Sequence, residues 1–331
     1  MIQISRCSES QVPALMTFID PHWRKNHTLA TSRPLMDWQH RDENAYNYLL
    51  AWDDETLLGV LGYIPSRRYD PALVAHNVLW LALWKIRDDC KITGLGLRML
   101  KALEQLEPHE AIAVNGTNHS HPPMYKALGF TTAELTQHYI VNPAQPRYLL
   151  QGQGALPYAN TGSATATKLD ETTLRTLPIH PTATPQKTPR YFIERFLHHP
   201  FYRYNVWLLK QSSRQALIAT RIAQHENRNA MRIVDIAGDI EILAHSGSAL
   251  LSIMQQNKAE YADFWQHGID NSALAQAGFG VVKASVIVPN FYEPYIAQNS
   301  RILCAYKSTA SHPVVICRAD GDQDRPNVLT T

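Results

Sequence analysis

At 331 residues the chain is longer than one ordinary domain, and two domains are expected. With 45% hydrophobic and 18% charged residues it is excluded from the disordered and collagen-like classes. A formal net charge of +2 without a basic run argues against a dedicated nucleic-acid surface. Four scattered cysteines (Cys7, Cys90, Cys304, Cys317) suit a reduced cytoplasm better than a disulfide framework. The opening MIQISRCSES has no apolar signal core and no apolar run reaches bilayer length, so a cytoplasmic protein without a membrane span is expected.

Taken in order, Ile2–Arg6 reads as a strand and Ser8–Phe18 as a short helix opened by a Ser/Glu cap. Asp20–His40, rich in His, Arg, Trp and Pro, reads as a loop with a short helix, either near a site or a plain surface connection. Tyr46–Trp52 and Thr56–Ile64 form a hairpin around Asp53-Asp54-Glu55. The run Leu79–Ile86 is apolar throughout and bounded by turn residues, as in a strand buried on both faces. The chain then turns through Lys91-Ile92-Thr93-Gly94-Leu95-Gly96 into a helix marked by Leu97, Leu100, Leu103 and Leu106. A strand, a glycine turn and a helix N-terminus together offer several free N–H groups and a positive dipole end, a natural phosphate site. Glu110–Asn115 is another strand, Pro123–Leu128 a helix stopped by Gly129, and Thr132–Val141 a further strand.

This order and two of its motifs resemble the GCN5-related N-acetyltransferase (GNAT) superfamily. Lys91-Ile92-Thr93-Gly94-Leu95-Gly96 is similar to the family's Gln/Arg-x-x-Gly-x-Gly/Ala loop, with Lys91 in place of the usual Gln or Arg. Met124-Tyr125-Lys126-Ala127-Leu128-Gly129-Phe130 is similar to its Leu-Tyr-x-x-x-Gly-Phe ending. The resemblance covers about residues 1–142 and implies that the loop holds the pyrophosphate of an acyl-CoA, acetyl-CoA being the usual donor. It further implies that the pantetheine arm completes an interrupted ladder beside Leu83, Trp84 and Lys85, and that Asn118 binds the cofactor. Tyr125 would protonate the departing thiolate, although an aromatic filling core is an equal reading of that residue. His109, His119 and His121 fit no zinc-ligand spacing, and no metal is expected.

Residues 143–165 read as an ordered linker, after which the order of elements repeats. Pro189–His198 reads as a helix, Asn205–Lys210 and Ala216–Ala223 as a strand pair, and Met231–Gly238 as a buried strand. Ile240–Gln256 reads as a helix, Glu260–Trp265 as a strand, and Asn271–Ala277 as a helix closed by Gly278-Phe279. That pair lies 149 residues after Gly129-Phe130, and Met231 lies 151 after Trp80, a near-constant offset that points to internal duplication. The expected architecture is therefore α/β (α+β): two tandem GNAT-like domains, 1–142 and 166–331, each a mixed, mostly antiparallel sheet flanked by helices. The second copy has Asp239-Ile240-Glu241 where the first has its glycine turn, and Leu274 where the first has Tyr125. Coenzyme is thus expected in the first copy alone, with Asp235, Asp239 and His267 facing the second cleft as acceptor ligands or, for the two aspartates, as helix caps.

The chain closes with a strand pair around Ile302–Tyr306 and Val314–Arg318 and then Asp320-Gly321-Asp322-Gln323-Asp324-Arg325-Pro326-Asn327. Its aspartate spacing imitates a calcium loop, but Arg325 stands where glycine is needed. Asp320, Asp322, Asp324 and Arg325 are read as ligands for a hydroxyl-rich acceptor. The ending resembles that of uncharacterised two-domain proteins linked with bacterial surface-polysaccharide biosynthesis. That resemblance implies an amino-sugar acceptor, nucleotide-linked, for an acyl-CoA-dependent N-acyltransferase. Two other readings stay open: a binding or assembly protein without turnover, and a transferase using an aminoacyl-tRNA donor, which the near-neutral charge disfavours.

Overall fold

The apolar run that begins near residue 79 is buried because helices cover one face of its sheet and the rest of the chain covers the other. The computed structural model, which describes residues 1–329, has β1 (Ile2–Ser8), α1 (Val12–His22), α2 (Thr28–Thr31) and α3 (Arg33–His40) ahead of three strands. These strands are β2 (Ala45–Asp53), β3 (Thr56–Pro65) and β4 (Val78–Ile86). Then come α4 (Leu95–Leu106), β5 (Ala111–Thr117), α5 (Pro122–Ala127) and β6 (Thr131–Val141). Helix α4 buries Leu95, Met99, Leu100 and Leu103 against Leu49, Leu61, Leu79 and Leu81 of the sheet. Each such leucine stabilises the layer by roughly 1.5–3 kcal/mol.

The second half holds β7 (Thr165–Leu169), α6 (Glu171–Thr176), α7 (Pro189–Phe192), β8 (Tyr204–Gln211), β9 (Arg214–His225) and β10 (Arg228–Gly238). It continues with α8 (Gly247–Gln256), β11 (Ala259–His267) and α9 (Asn271–Ala277), and two late strands follow, β12 (Ile302–Ser308) and β13 (Ile316–Cys317). All the long strands join one sheet in the order β1-β2-β3-β4-β5-β12-β6-β11-β10-β9-β8-β7. Only the β4–β5 and β10–β11 pairs in that path are parallel. The fold is thus α/β, a large and mostly antiparallel sheet flanked by helices. Among the described residues, no helix is long and apolar enough to cross a membrane.

The halves exchange strands. Strand β12, from the end of the chain, pairs with both β5 and β6, so it completes the first half's sheet. Strand β6 pairs with β12 through Thr131–Leu135 and with β11 through Thr136–Val141, serving both halves. A boundary at residue 142 therefore runs through a shared sheet. Segment 143–165 is fastened to the second half: the Tyr148 and Leu149 amides donate to the Glu260 carboxylate, both at 2.8 Å.

Three sequence expectations change. The 20–40 stretch is helical in most of its length, since Ser32 caps α3 through the Leu35 amide at 3.3 Å. Ile240–Gln256 is a 3-10 turn (Ile240–His245) followed by α8, because Ser246 Oγ donates back to the Leu243 carbonyl at 2.8 Å and closes the first turn. The segments around 302–306 and 314–318 are not a strand pair; they enter different halves of the sheet.

Candidate functional site

Strands β4 and β5 pair only as far as Leu81 opposite Val114. A bulge on β4 opposite the Leu61–Tyr63 stretch of β3 then turns the strand away. Beyond it Trp84, Lys85 and Ile86 pair with β3, while Asn115 and Thr117 pair with β12, so the facing edges stay unpaired. Between them opens a cleft of about 970 Å³. Leu83, Trp84, Lys85, Gly96, Asn118 and Tyr125, all predicted from sequence, line it together.

The glycine turn leads into α4 with Gly94 at the N-cap, its φ of 74° a conformation that an L side chain adopts only with strain. No side chain caps the helix, and its first turn holds no acid. Among the described residues, the backbone N–H groups of Thr93, Gly94, Leu95, Gly96 and Leu97 donate to no protein acceptor. The Trp84 ring lies against the bare face of Gly96, where a Cβ would sit 3.4 Å from it. Lys91, Thr93 and Gly94 are exposed and Ile92 is half-buried, whereas Leu95 is buried in the core and can offer a ligand only its amide. This arrangement suits a diphosphate.

Tyr125 is 3% exposed and packs edge-on against Phe130 with ring centroids 5.3 Å apart. Burial pushes its pKa up to about 12, with a neighbouring hydroxyl, Thr117, working the other way. At neutral pH it is therefore a proton donor. Asn118 spends its Oδ1 on the Ser120 amide (3.0 Å) and hydroxyl (3.1 Å), so its NH₂ group is what a ligand could use. Asp88 is on the surface, paired with Lys85 at 2.5 Å and absent from the cleft lining, so it is no base for an amine there.

The tail closes the other end of the cleft, where Asp322, Gln323, Arg325 and Asn327 join His22, Trp23 and Phe291. Gln323 seats directly on Gly116 (φ 88°), where any Cβ would meet its Oε1 at 1.9 Å. Asn115 holds the tail's approach: its Nδ2 donates to the Cys317 and Asp320 carbonyls, both at 3.0 Å. Gln323 and Asn327 belong to the tail read as acceptor-binding and His22 to the 20–40 stretch read as near a site, but none of them, nor Asn115, is singled out there, since only the long-range path of the tail brings them together.

Five predicted acceptor ligands do not line the cleft. Asp324 is buried and bound to Arg221, Arg318 and Tyr204. Asp235 and Asp320 are buried around Lys187 Nζ at 2.5 and 2.8 Å, which supplies the positive charge that these carboxylates and Cys317 could otherwise draw from a metal. Asp239 caps the 240–245 turn through the Glu241 amide at 3.2 Å and pairs with Arg214 at 3.4 Å. His267 is half-buried beside Tyr306. Asp235, Asp320 and Asp324 are thus buried where removing their charge from water requires a partner, and each has one.

Burial raises the pKa of Asp235 from 3.8 to about 6, against the pull of Lys187. The folded chain then keeps a proton that the unfolded chain has lost, so stability falls as pH rises across that window. Asp235→Asn is expected to flatten this slope, read from urea denaturation at several pH values between 4 and 7. A slope equal to the wild type's would assign the proton to another group.

The second half has the same wedge, but the chain itself fills it. Strands β10 and β11 pair up to Ile233 opposite Phe264. Past that point β13 lies on β11, and the Ala319 amide donates to the Val234 carbonyl (2.9 Å) of β10. The closing helices correspond closely: Phe130 N–H donates to the Tyr125 carbonyl and Phe279 N–H to the Leu274 carbonyl, both at 3.0 Å. Leu274 thus occupies the position of Tyr125 and has no proton to give.

Many solved structures are similar to this one, among them the following three. A GCN5-related N-acetyltransferase from Anabaena variabilis ATCC 29413 matches with a TM-score of 0.55 and 10% identity, over 94% of this chain and 73% of that one. A GCN5-related N-acetyltransferase from Kribbella flavida gives 0.54 and 8%, over 93% and 71%. A conserved protein of unknown function from Enterococcus faecalis V583, described as a probable N-acyltransferase, gives 0.53 and 8%, over 92% and 72%. No family model matches the chain, and no curated protein matches it. At such identities the likeness is one of architecture: this chain has the α/β fold of the GCN5-related N-acetyltransferases.

Proposed function

We propose that the protein is an acyl-CoA-dependent N-acyltransferase, built as two GNAT-like halves, that uses only its first cleft. The observation carrying this reading is the contrast between two equivalent wedges. One is open, flanked by an uncapped glycine turn and a buried tyrosine; the other is filled by residues 314–319 and lacks both. An acyl-CoA fits the first on three counts. Its diphosphate matches the free amides of residues 93–97, its amide-bearing arm matches the unpaired edges of β4 and β5, and its thiol end falls toward Tyr125. When bound, it supplies an activated thioester. The residues of the chain then orient the arm through backbone hydrogen bonds, exclude water with Leu83, Trp84 and Leu128, and deliver a proton from Tyr125 Oη to the departing sulfur.

The acceptor is an amine, in keeping with the resemblance of the tail to surface-polysaccharide proteins an amino sugar, and it enters beside Asp322 and Arg325. Calorimetric titration with acetyl-CoA is expected to give one site per chain, and thiol release is expected with an amine panel. Two sites, or none, would sink this reading. A binding protein without turnover is the second reading. It is favoured by the lack of a free carboxylate: among the described lining residues the only one is Asp322, already paired with Arg325 at 3.2 Å, which leaves His22 and His121 as the side chains that could take the amine's proton.

A further inference from the structure

The tail end of the cleft holds a guanidinium whose hydrogen-bond donors its neighbours do not fully use. Arg325 lines the cleft and donates through Nε to Asp322 Oδ2 at 3.2 Å, yet its Nη1 is buried without a partner. Arg24, exposed on the surface and outside the lining, adds its charge to the same field. Behind them His27 is 1% exposed. Its Nδ1 accepts from the Leu29 amide at 3.2 Å, so the ring proton sits on Nε2, and that buried donor also has no partner. Burial first, then Arg325 and Arg24, push the His27 pKa down to about 3, so the ring is neutral and cannot leave as a competing cation. The Tyr48 hydroxyl, within the field of Asp322 and Arg325, is likewise buried and unpartnered. In the lining, then, one carboxylate is paired with one guanidinium whose Nη1 has no acceptor. A donor buried without an acceptor is costly, and an anion held by Arg325 is a group that offers one.

We propose that the acceptor amine carries an anionic group, a carboxylate or a phosphate, and that Arg325 binds this group and selects for it. The inference rests on the acyl-transfer reading and narrows its acceptor. The planar guanidinium keeps an edge free beyond the Asp322 contact, and such an edge matches two oxygens of either anion. Asp322 then does two things: it fixes the orientation of Arg325, and it offers a counter-charge to the acceptor's ammonium before the proton is lost.

The test uses the full chain and two matched pairs of amines: glucosamine with glucosamine 6-phosphate, and serinamide with serine. Binding to the CoA-loaded protein is followed by calorimetry, and turnover by thiol release from acetyl-CoA. The anionic member of at least one pair is expected to bind, or to react in kcat/KM, at least tenfold better than its neutral partner. The pair that discriminates identifies phosphate or carboxylate. Arg325→Gln is expected to bring the ratio close to one, and Arg325→Lys to keep part of it; thermal melts check that both variants fold. Equal treatment of both pairs by the wild type, binding of none of the four, or an unchanged ratio in a folded Arg325→Gln protein overturns the proposal. Failure to bind CoA, with the anionic amines still held in an Arg325-dependent way, defeats the acyl-transfer reading and leaves the anion site standing.

Discussion

Replacing Tyr125 by Phe is expected to lower kcat by roughly a hundredfold or more, within the range that a positioned general acid contributes, while KM for acetyl-CoA changes little. The ring packs against Phe130, Leu128 and the sheet, and phenylalanine keeps that packing, so the variant isolates the hydroxyl. The hydroxyl is neutral around pH 7, because burial pushes its pKa up to about 12. A thiolate leaving into an apolar cleft has no water to stabilise it, so the missing proton is felt at that step. The pH profile supplies a second readout: an alkaline limb below pH 10 would have to come from a group other than Tyr125. Single-turnover thiol release in the two proteins decides the matter, and equal rates would leave Tyr125 as core packing.

Asp324→Ala is expected to cost about 3–5 kcal/mol of stability, the range for removing one member of a buried ion pair. The Asp324 carboxylate is 1% exposed as a residue and accepts from Arg221 Nη2 (2.9 Å), Arg318 Nε (2.9 Å) and Tyr204 Oη (2.7 Å). Burial alone would raise its pKa, but the two guanidiniums outweigh that and hold the carboxyl well below its ordinary 3.8. Its contribution is therefore complete at neutral pH and is lost as pH falls below the ordinary carboxylate range. Alanine leaves Arg221 and Arg318 buried without a counter-charge. The same change frees the segment that carries Asp322 and Arg325, so acceptor binding should fall further than coenzyme binding. Urea denaturation measures the first effect and calorimetry the second. A variant with wild-type stability would mean that the tail is anchored elsewhere.

What was legible in the sequence was local. The apolar run at 79–86, the glycine turn, the leucine spacing of α4 and the two Gly-Phe endings each depend on neighbours within a dozen residues, and the structure places them as expected. Tyr125 and the lining residues Leu83, Trp84, Lys85 and Gly96 came from the family resemblance that those elements carry. The tail was read by composition, and composition could not separate Asp322, which faces the cleft, from Asp320 and Asp324, which face buried cations. That distinction depends on Lys187, Arg221 and Arg318 arriving from other strands. The exchanged strands were equally hidden, because 302–308 has the same alternation whichever neighbours it pairs with. Likewise, nothing in residues 314–319 announces that they lie in a wedge equivalent to the open one.

The insertion of β12 between β5 and β6 also governs when the molecule can form at all. During synthesis, the first 141 residues emerge with a gap in their sheet that only residues 302–308 can fill. The nascent amino-terminal portion must therefore wait, with exposed strand edges, until residues 302–308 have also left the ribosome. A message truncated before codon 302 should yield an aggregation-prone fragment rather than a smaller folded protein, and the order of translation becomes a checkpoint on folding.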